Sequence, residues 1–370
     1  MIMRRICCVV GARPNFMKVA PVVQALQARG LQTRLVHTGQ HYDPQMSAIF
    51  FHDLGMPEPD AFLGVGSGSH AVQTAKIMTL FEQDCLDFAP DLVLVAGDVN
   101  STIACALVAS KLGISVGHIE AGLRSGDWSM PEEVNRVLTD ACADLLLTPS
   151  PDADANLQAE GVAAWRIHWV GNCMIDSLLK HLDRARAENT PAQLGVTPGQ
   201  YAVATLHRPS NVDDPQQLGP VLDALEATSR QIPVVFPVHP RTRAAIAQTG
   251  WTPTTGLHLV EPMGYLAFLG LLADSRLVMT DSGGIQEETT ALAIPCLTLR
   301  ANTERPITVS QGSNVLLGTD ARRLAPAVAG ILAGRGKIGT IPEKWDGHAA
   351  DRIADLLMQP VRTLRETTLG

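Results

Sequence analysis

Short apolar, β-branched runs alternate with amphipathic stretches along nearly the whole chain, and that alternation predicts an α/β fold. The runs Arg5–Val10, Thr33–His37, Asp91–Ala96, Ser115–Ile119, Asp144–Leu147 and Arg166–Val170 read as buried strands. Helical spacing fills the gaps at Pro14–Arg29, Pro44–Leu54, a stretch reaching Phe88, Thr102–Leu112, Pro131–Ala143 and Asp152–Gly161. A segment rich in charge, Pro and Gly, between Gly171 and Gly199, interrupts the series. A second series follows, with strands at Tyr201–Leu206, Ile232–Pro237, Leu257–Val260, Arg276–Thr280, Cys296–Leu299 and Asn314–Leu317. Strands that are apolar on both faces belong in parallel sheets covered by helices. The expected architecture is two Rossmann-like domains with a cleft between them, residues 1–171 and 172–347. The last helix, about His348–Leu357, opens a segment 348–370 expected to pack back on the first domain. Ligands of such sheets sit beyond the carboxyl ends of the strands.

Those ends are where the ionisable residues gather. Gly11-Ala-Arg-Pro-Asn-Phe-Met-Lys18 follows the first strand, Gly97-Asp98 the Leu92–Ala96 run, and His118-Ile-Glu-Ala-Gly-Leu-Arg124 the next. Leu206-His207-Arg208 and Val238-His239-Pro240-Arg241 repeat the pattern in the second half. Arg13 and Lys18 oppose the dipole of the helix they open, and a bound phosphate would remove that conflict. Asp98 also reads as an N-cap, and Glu132 as the far member of a Ser129-Met-Pro-Glu132 capping box. Glu120, between a buried strand and a glycine, is costly as an unpaired carboxylate. Three carboxylates and His207 at strand ends suit proton abstraction beside a leaving group.

The stretch Asp281-Ser-Gly-Gly-Ile-Gln-Glu-Glu288 joins a strand to a helix through two glycines. Backbone N–H groups there suit a diphosphate at Ser282-Gly283-Gly284, with Glu288 further along as an acceptor for a ribose diol. A plain turn with Ser282 as N-cap reads the same residues without a ligand.

Composition narrows the classes. The chain has 370 residues, long for one core, and a hydrophobic fraction of 46%. Net charge is −8, which argues against a nucleic-acid partner. No apolar run approaches a membrane span. The opening residues are too short an apolar stretch for a signal peptide, and the seven cysteines form no Cys-x-x-Cys pair. A cytoplasmic protein with buried free thiols is expected. The first strand–helix turn lacks Gly-x-Gly-x-x-Gly, and no Walker loop, zinc spacing or Gly-x-Ser-x-Gly elbow is present. The glycines of Gly64-Val-Gly-Ser-Gly68 lack the strand a dinucleotide loop needs before it.

On Gly11-Ala-Arg-Pro…Lys18, Gln40-His41, Gly97-Asp98, His118–Arg124, Pro131-Glu-Glu-Val-Asn-Arg136, Leu206-His-Arg208, Pro237-Val-His-Pro240, Asp281–Glu288 and Thr303-Glu-Arg-Pro306, the chain resembles the non-hydrolysing UDP-N-acetylglucosamine 2-epimerases. The resemblance implies the glycosyltransferase-B fold, a homodimer, and interconversion of UDP-GlcNAc and UDP-ManNAc with neither metal nor other cofactor. It implies loss of the C2 proton with expulsion of UDP, then re-addition through 2-acetamidoglucal. Carried over, Lys18, Asp98, Glu120, Glu132 and His207 form the catalytic group. Arg13, Ser282, Gly283, Gly284 and Arg305 hold the diphosphate, Glu288 the ribose, and Phe268 lies against the uracil. Asn15 and Met263 depart from the family pattern. So do Gln40-His-Tyr-Asp43 and Ser67-Gly-Ser-His70, which lack the glutamines of the activator site found in some members; a second sugar nucleotide should bind weakly here. Relatives acting on UDP-diacetamido sugar acids share several of these motifs. A glycosyltransferase-B-type UDP-sugar transferase and a UDP-sugar-binding protein are the other readings of the same fold.

Overall fold

A computed structural model describes residues 4–40, 51, 53–253, 256–360 and 362–363; the expected helix Pro44–Leu54 lies almost wholly outside them. The chain divides into two compact units, Met1–Lys180 with Glu343–Gly370, and His181–Pro342.

The first unit holds seven strands: β1 Arg5–Val10, β2 Gln32–His37, β3 Ala61–Phe62, β4 Leu92–Ala96, β5 Ser115–Ile119, β6 Leu145–Thr148 and β7 Ile167–Trp169. Their order is β3-β2-β1-β4-β5-β6-β7, every pairing parallel. The order reverses between β1 and β4, which makes their carboxyl ends the topological switch point. Helix α1 (Arg13–Ala28) follows β1, α2 (His70–Phe88) precedes β4, α3 (Asn100–Leu112) joins β4 to β5, and α4 (Pro131–Cys142) joins β5 to β6. Ile77, Phe81 and Cys85 of α2 and Ala104, Cys105 and Val108 of α3 pack on Cys7, Val93, Val95 and Val116 of the sheet. The late helix α5 (Ala349–Leu357) lies against α1, with Arg29 Nε 2.7 Å from Asp355 Oδ1.

The second unit repeats the scheme with β8 Ala202–Thr205, β9 Val234–Pro237, β10 Leu257–Val260, β11 Leu277–Thr280, β12 Cys296–Thr298 and β13 Asn314–Leu316. The order is β10-β9-β8-β11-β12-β13, again all parallel, so its switch point lies between β8 and β11. Strands β1, β5 and β10 match the sequence expectation and the other expected strands differ from it by at most two residues at an end; only the two-residue β3 had no apolar run to announce it. Among the described residues no helix is long and apolar enough to cross a membrane.

Candidate active site

In the first unit, the β1–α1 turn is stitched across the switch point by Asn15. Its Oδ1 accepts from the N–H of Ala12 at 3.0 Å, and its Nδ2 donates to the Ala96 carbonyl at 2.8 Å. One turn later on the same helix face, Lys18 reaches Glu120, and both are buried. Glu120 leaves the end of β5 with φ +71, a left-handed backbone that a non-glycine residue rarely adopts and that tends to mark a functional position. Gly97, at the end of β4, has φ +67, and a Cβ there would lie 3.0 Å from Lys18 Nζ and 3.4 Å from Glu120 Oε2. Glycine is what leaves room for the pair.

Asp98, the next residue, is ion-paired with Arg136 of α4. The same guanidinium lies 2.6 Å from Glu133, whose carboxylate accepts from the N–H groups of Ser125 and Gly126. Burial alone would raise the Glu133 carboxyl; those N–H groups and Arg136 hold it below the usual range. Glu132 stands exposed in the first turn of α4, beside buried Glu133. The capping readings fail for both. The N-cap of α4 is Met130, with Ser129 bonded to Asp127, and α3 is capped at Val99, so Asp98 is free of that duty. Asp98 and Glu120 follow neighbouring strands β4 and β5, whereas Glu132 is set apart on a helix.

His118, inside the His118–Arg124 motif, gains a role from the fold. Its Nδ1 lies 2.6 Å from Asp140 and its Nε2 2.8 Å from the Gly97 carbonyl, so it braces the residue before Asp98. Asp140 also takes the N–H of Gly122 and a guanidinium N–H of Arg124. Arg13 begins α1, but its side chain lies outside the described residues, as do His41 and Asp43. Gln40 is fully engaged through its Oε1, which accepts from the backbone N–H and the hydroxyl of Ser101.

In the second unit, Asp281 follows β11 and is wholly buried. It accepts from the N–H of Arg208 at 2.9 Å and from Asn211 Nδ2 at 3.0 Å, and His207 Nδ1 stands 3.0 Å away. Ser282 takes the N-cap position of helix α6 (Gly283–Ala291), yet its side chain makes no capping bond. The capping reading therefore holds for position and not for chemistry, and the hydroxyl is left to other partners. A Cβ on Gly283 would fall 2.4 Å from Arg305 Nη1, so the first glycine is required by packing; Gly284 follows it in the same turn.

Arg305 is buried between two carboxylates: its Nε lies 2.9 Å from Glu287, and its Nη1 bonds Glu304. Glu304 also meets Arg300 at 2.7 Å and Arg208 at 3.8 Å. Burial opposes its charge, but Arg305 and Arg300 hold its carboxyl far below the usual range. Arg208, Arg300 and Arg305 thus surround Glu304, and Arg305 also neutralises Glu287. Three guanidinium groups stand beside a helix N-terminus whose dipole favours anions. Glu288 is buried, and its carboxyl is pushed up to about 8, by burial first and by Glu287 second. Tyr265, its neighbour, is raised as well, by burial and then by Glu288. Phe268 lines a cavity of about 170 Å³ at the end of β8, together with His207, Pro237, His239 and Met263. His207 is therefore the residue that touches both the Asp281 carboxylate and open space.

Comparisons with known proteins agree with one another. A family model described as UDP-N-acetylglucosamine 2-epimerase matches residues 24–358. The UDP-N-acetylglucosamine 2-epimerase of Methanococcus maripaludis is 40% identical over 339 residues, 89% of this chain and 92% of that one. A UDP-2,3-diacetamido-2,3-dideoxy-D-glucuronate 2-epimerase of Pseudomonas aeruginosa is 42% identical over 361 residues, 95% of this chain and 99% of its own length. Among solved structures, the Methanocaldococcus jannaschii UDP-GlcNAc 2-epimerase in complex with UDP-GlcNAc and UDP superposes with a TM-score of 0.88. It is 38% identical and covers 95% of this chain and 99% of that one.

Proposed function

The chain belongs to the non-hydrolysing UDP-N-acetylglucosamine 2-epimerase family, with its glycosyltransferase-B fold, and we propose that it interconverts UDP-GlcNAc and UDP-ManNAc by elimination and re-addition of UDP. In the forward half, the C2–H bond breaks and its proton passes to a carboxylate. The C1–O bond to the diphosphate breaks, its electron pair leaving with UDP, and a C1–C2 double bond forms. Re-addition restores the C1–O bond, with a proton delivered to the opposite face of C2. Asp98, Glu120 and Glu132 are the carboxylates proposed for these transfers.

The observation that carries this reading is the buried pair Lys18–Glu120 beside Asp98 at a switch point. Lys18 sets a positive charge beside the Glu120 carboxylate and opposes the negative charge that develops on the sugar. Arg13, Ser282, Gly283, Gly284 and Arg305 would hold the diphosphate, Glu288 the ribose hydroxyls and Phe268 the uracil. His207 would face the departing diphosphate. Exposed Val72, Leu80 and Leu86 on α2 and Leu138 on α4 support a homodimer through that face of the first unit. Seven free cysteines, six of them buried, suit a reducing cytoplasm. The acidic net charge argues against a nucleic-acid partner.

The Pseudomonas aeruginosa relative, matched over 95% of this chain, supports a second reading in which the sugar is a UDP-diacetamido uronate. Incubation with UDP-GlcNAc alone, and separately with the diacetamido uronate, decides between them. Appearance of UDP-ManNAc from the first supports the proposal. Turnover confined to the second replaces it, and no turnover of either without an added acceptor would point to a transferase or a binding protein.

A further inference from the structure

The second unit contains a carboxylate that the proposed reaction leaves without a task. Asp281 is 0% exposed and lies at the switch point between β8 and β11. A buried aspartate is costly unless its oxygens are filled. Here donors arrive from the backbone N–H groups of His207 and Arg208 and from Asn211 Nδ2, and the remaining approach is the His207 ring, Nδ1 to Oδ1 at 3.0 Å. Burial would raise the carboxyl, but His207, Asn211 and the Arg208 N–H hold it below the usual range, so it is ionised and can only accept. Nδ1 therefore carries the proton, and Nε2 is the ring nitrogen left for a ligand. The His207 side chain is 49% exposed and lines the cavity at the end of β8, so the side of the ring away from Asp281 is open.

We propose that Asp281 is a positioning residue for His207, holding Nδ1–H and presenting Nε2 to the diphosphate as it leaves and returns. The same carboxylate fixes the backbone of His207 and Arg208, so ring and main chain are set by one group. With Nδ1–H held by Asp281, a proton taken up from solvent at Nε2 gives an imidazolium stabilised by the adjacent anion. Its Nε2–H donates to the diphosphate oxygen as the C1–O bond breaks and takes the proton back as that bond reforms, the logic by which a buried aspartate supports a catalytic histidine. A role confined to capping the β8 turn would stabilise the fold without acting through the ring.

The inference rests on the epimerase reading, and its test separates the two. Asp281→Asn, His207→Asn and the double variant are compared with the wild type for turnover of UDP-GlcNAc and for UDP affinity. Asparagine keeps the size and one acceptor but offers an N–H to Nδ1, favouring the wrong tautomer. Asp281→Asn is expected to lower kcat by about 10²–10⁴-fold at unchanged UDP affinity. The double variant should be no slower than His207→Asn alone. Losses that multiply in the double variant, or full turnover in Asp281→Asn, overturn the proposal. Should Asp281→Asn fail to fold, ¹⁵N spectra of histidine-labelled wild type decide, with His207→Asn identifying the resonance. A proton on Nδ1 is expected, and a ring protonated at Nε2 alone overturns the proposal. A wild type inactive on both UDP-GlcNAc and the diacetamido uronate sinks the epimerase reading instead, and the spectra still decide on Asp281.

Discussion

Lys18 and Glu120, 102 positions apart in sequence, form a buried ion pair at the point where the first sheet reverses its strand order. Neither could be buried alone. Their meeting depends on the left-handed backbone of Glu120 and on the missing side chain of Gly97.

Gly97→Ala should therefore impair chemistry before binding. Its φ of +67 costs a non-glycine residue roughly 1–2 kcal/mol, and the new methyl presses on Lys18 Nζ. We expect a lower melting temperature and a fall in kcat with UDP affinity kept. Glu120→Gln should lower kcat by about 10²–10⁴-fold, and it leaves Lys18 an uncompensated buried cation. Near-normal turnover in either variant would contradict the role given to the pair.

Asp98→Asn and Glu132→Gln should also lose turnover, again by about 10²–10⁴-fold, with little change in UDP affinity. Arg136→Met strips the partner from Asp98 and from buried Glu133, so it should lower both kcat and melting temperature. Titration of UDP into each variant checks the division. Equal losses of UDP affinity at Asp98 and Glu132 would place them with the nucleotide and not with the proton.

Arg305→Ala is expected to weaken UDP binding by roughly 1.5–3 kcal/mol, the scale of a charged hydrogen bond. It also leaves Glu287 and Glu304 without the guanidinium that separates them, so stability should fall too. Arg305→Lys should restore neither, because an ammonium cannot span both carboxylates as the planar fork does. Calorimetric titration and thermal melts measure both; UDP affinity equal to wild type would remove Arg305 from the diphosphate site.

Glu288 gives the protein a pH signature. Its carboxyl has an ordinary value of 4.5 and is raised by burial and Glu287 to about 8 in the fold. Between those values the native state holds a proton that the unfolded state has released. The stabilisation is therefore full below about pH 4.5 and is lost as pH rises through about 8. Melting curves should decline across that window in the wild type, and the decline should flatten in Glu288→Gln. Parallel pH profiles for the two proteins would show that Glu288 titrates normally.

The strands were legible because Ile6–Val10 in β1 and Leu92–Ala96 in β4 are unbroken apolar runs, the pattern of a sheet covered on both faces. The site was legible wherever a charged residue followed such a run, as at Asp98, Glu120 and His207. What the chain order hides is pairing. Nothing local to Asp98 announces Arg136, and Glu304 reads as one more acid in Thr303-Glu-Arg-Pro306 until three arginines are found around it. Asp281 was likewise masked, since an aspartate before Ser-Gly-Gly looks like a turn residue until β8 brings the His207 ring beside it. Asn15 seemed only a departure from the family pattern, yet its amide ties β1 to β4. The capping readings of Asp98 and Glu132 failed because the caps fall at Val99 and Met130, each one residue beyond the Asp98 and Ser129 those readings require, and a cap depends on that register.

Loss of the C2 proton from the sugar is read out by running the reaction in D2O. UDP-GlcNAc is incubated with the protein, and the recovered UDP-ManNAc is examined by NMR and mass spectrometry. The mechanism predicts one deuterium at C2 of the epimerised product. Epimerised product that keeps its original C2 proton would contradict it.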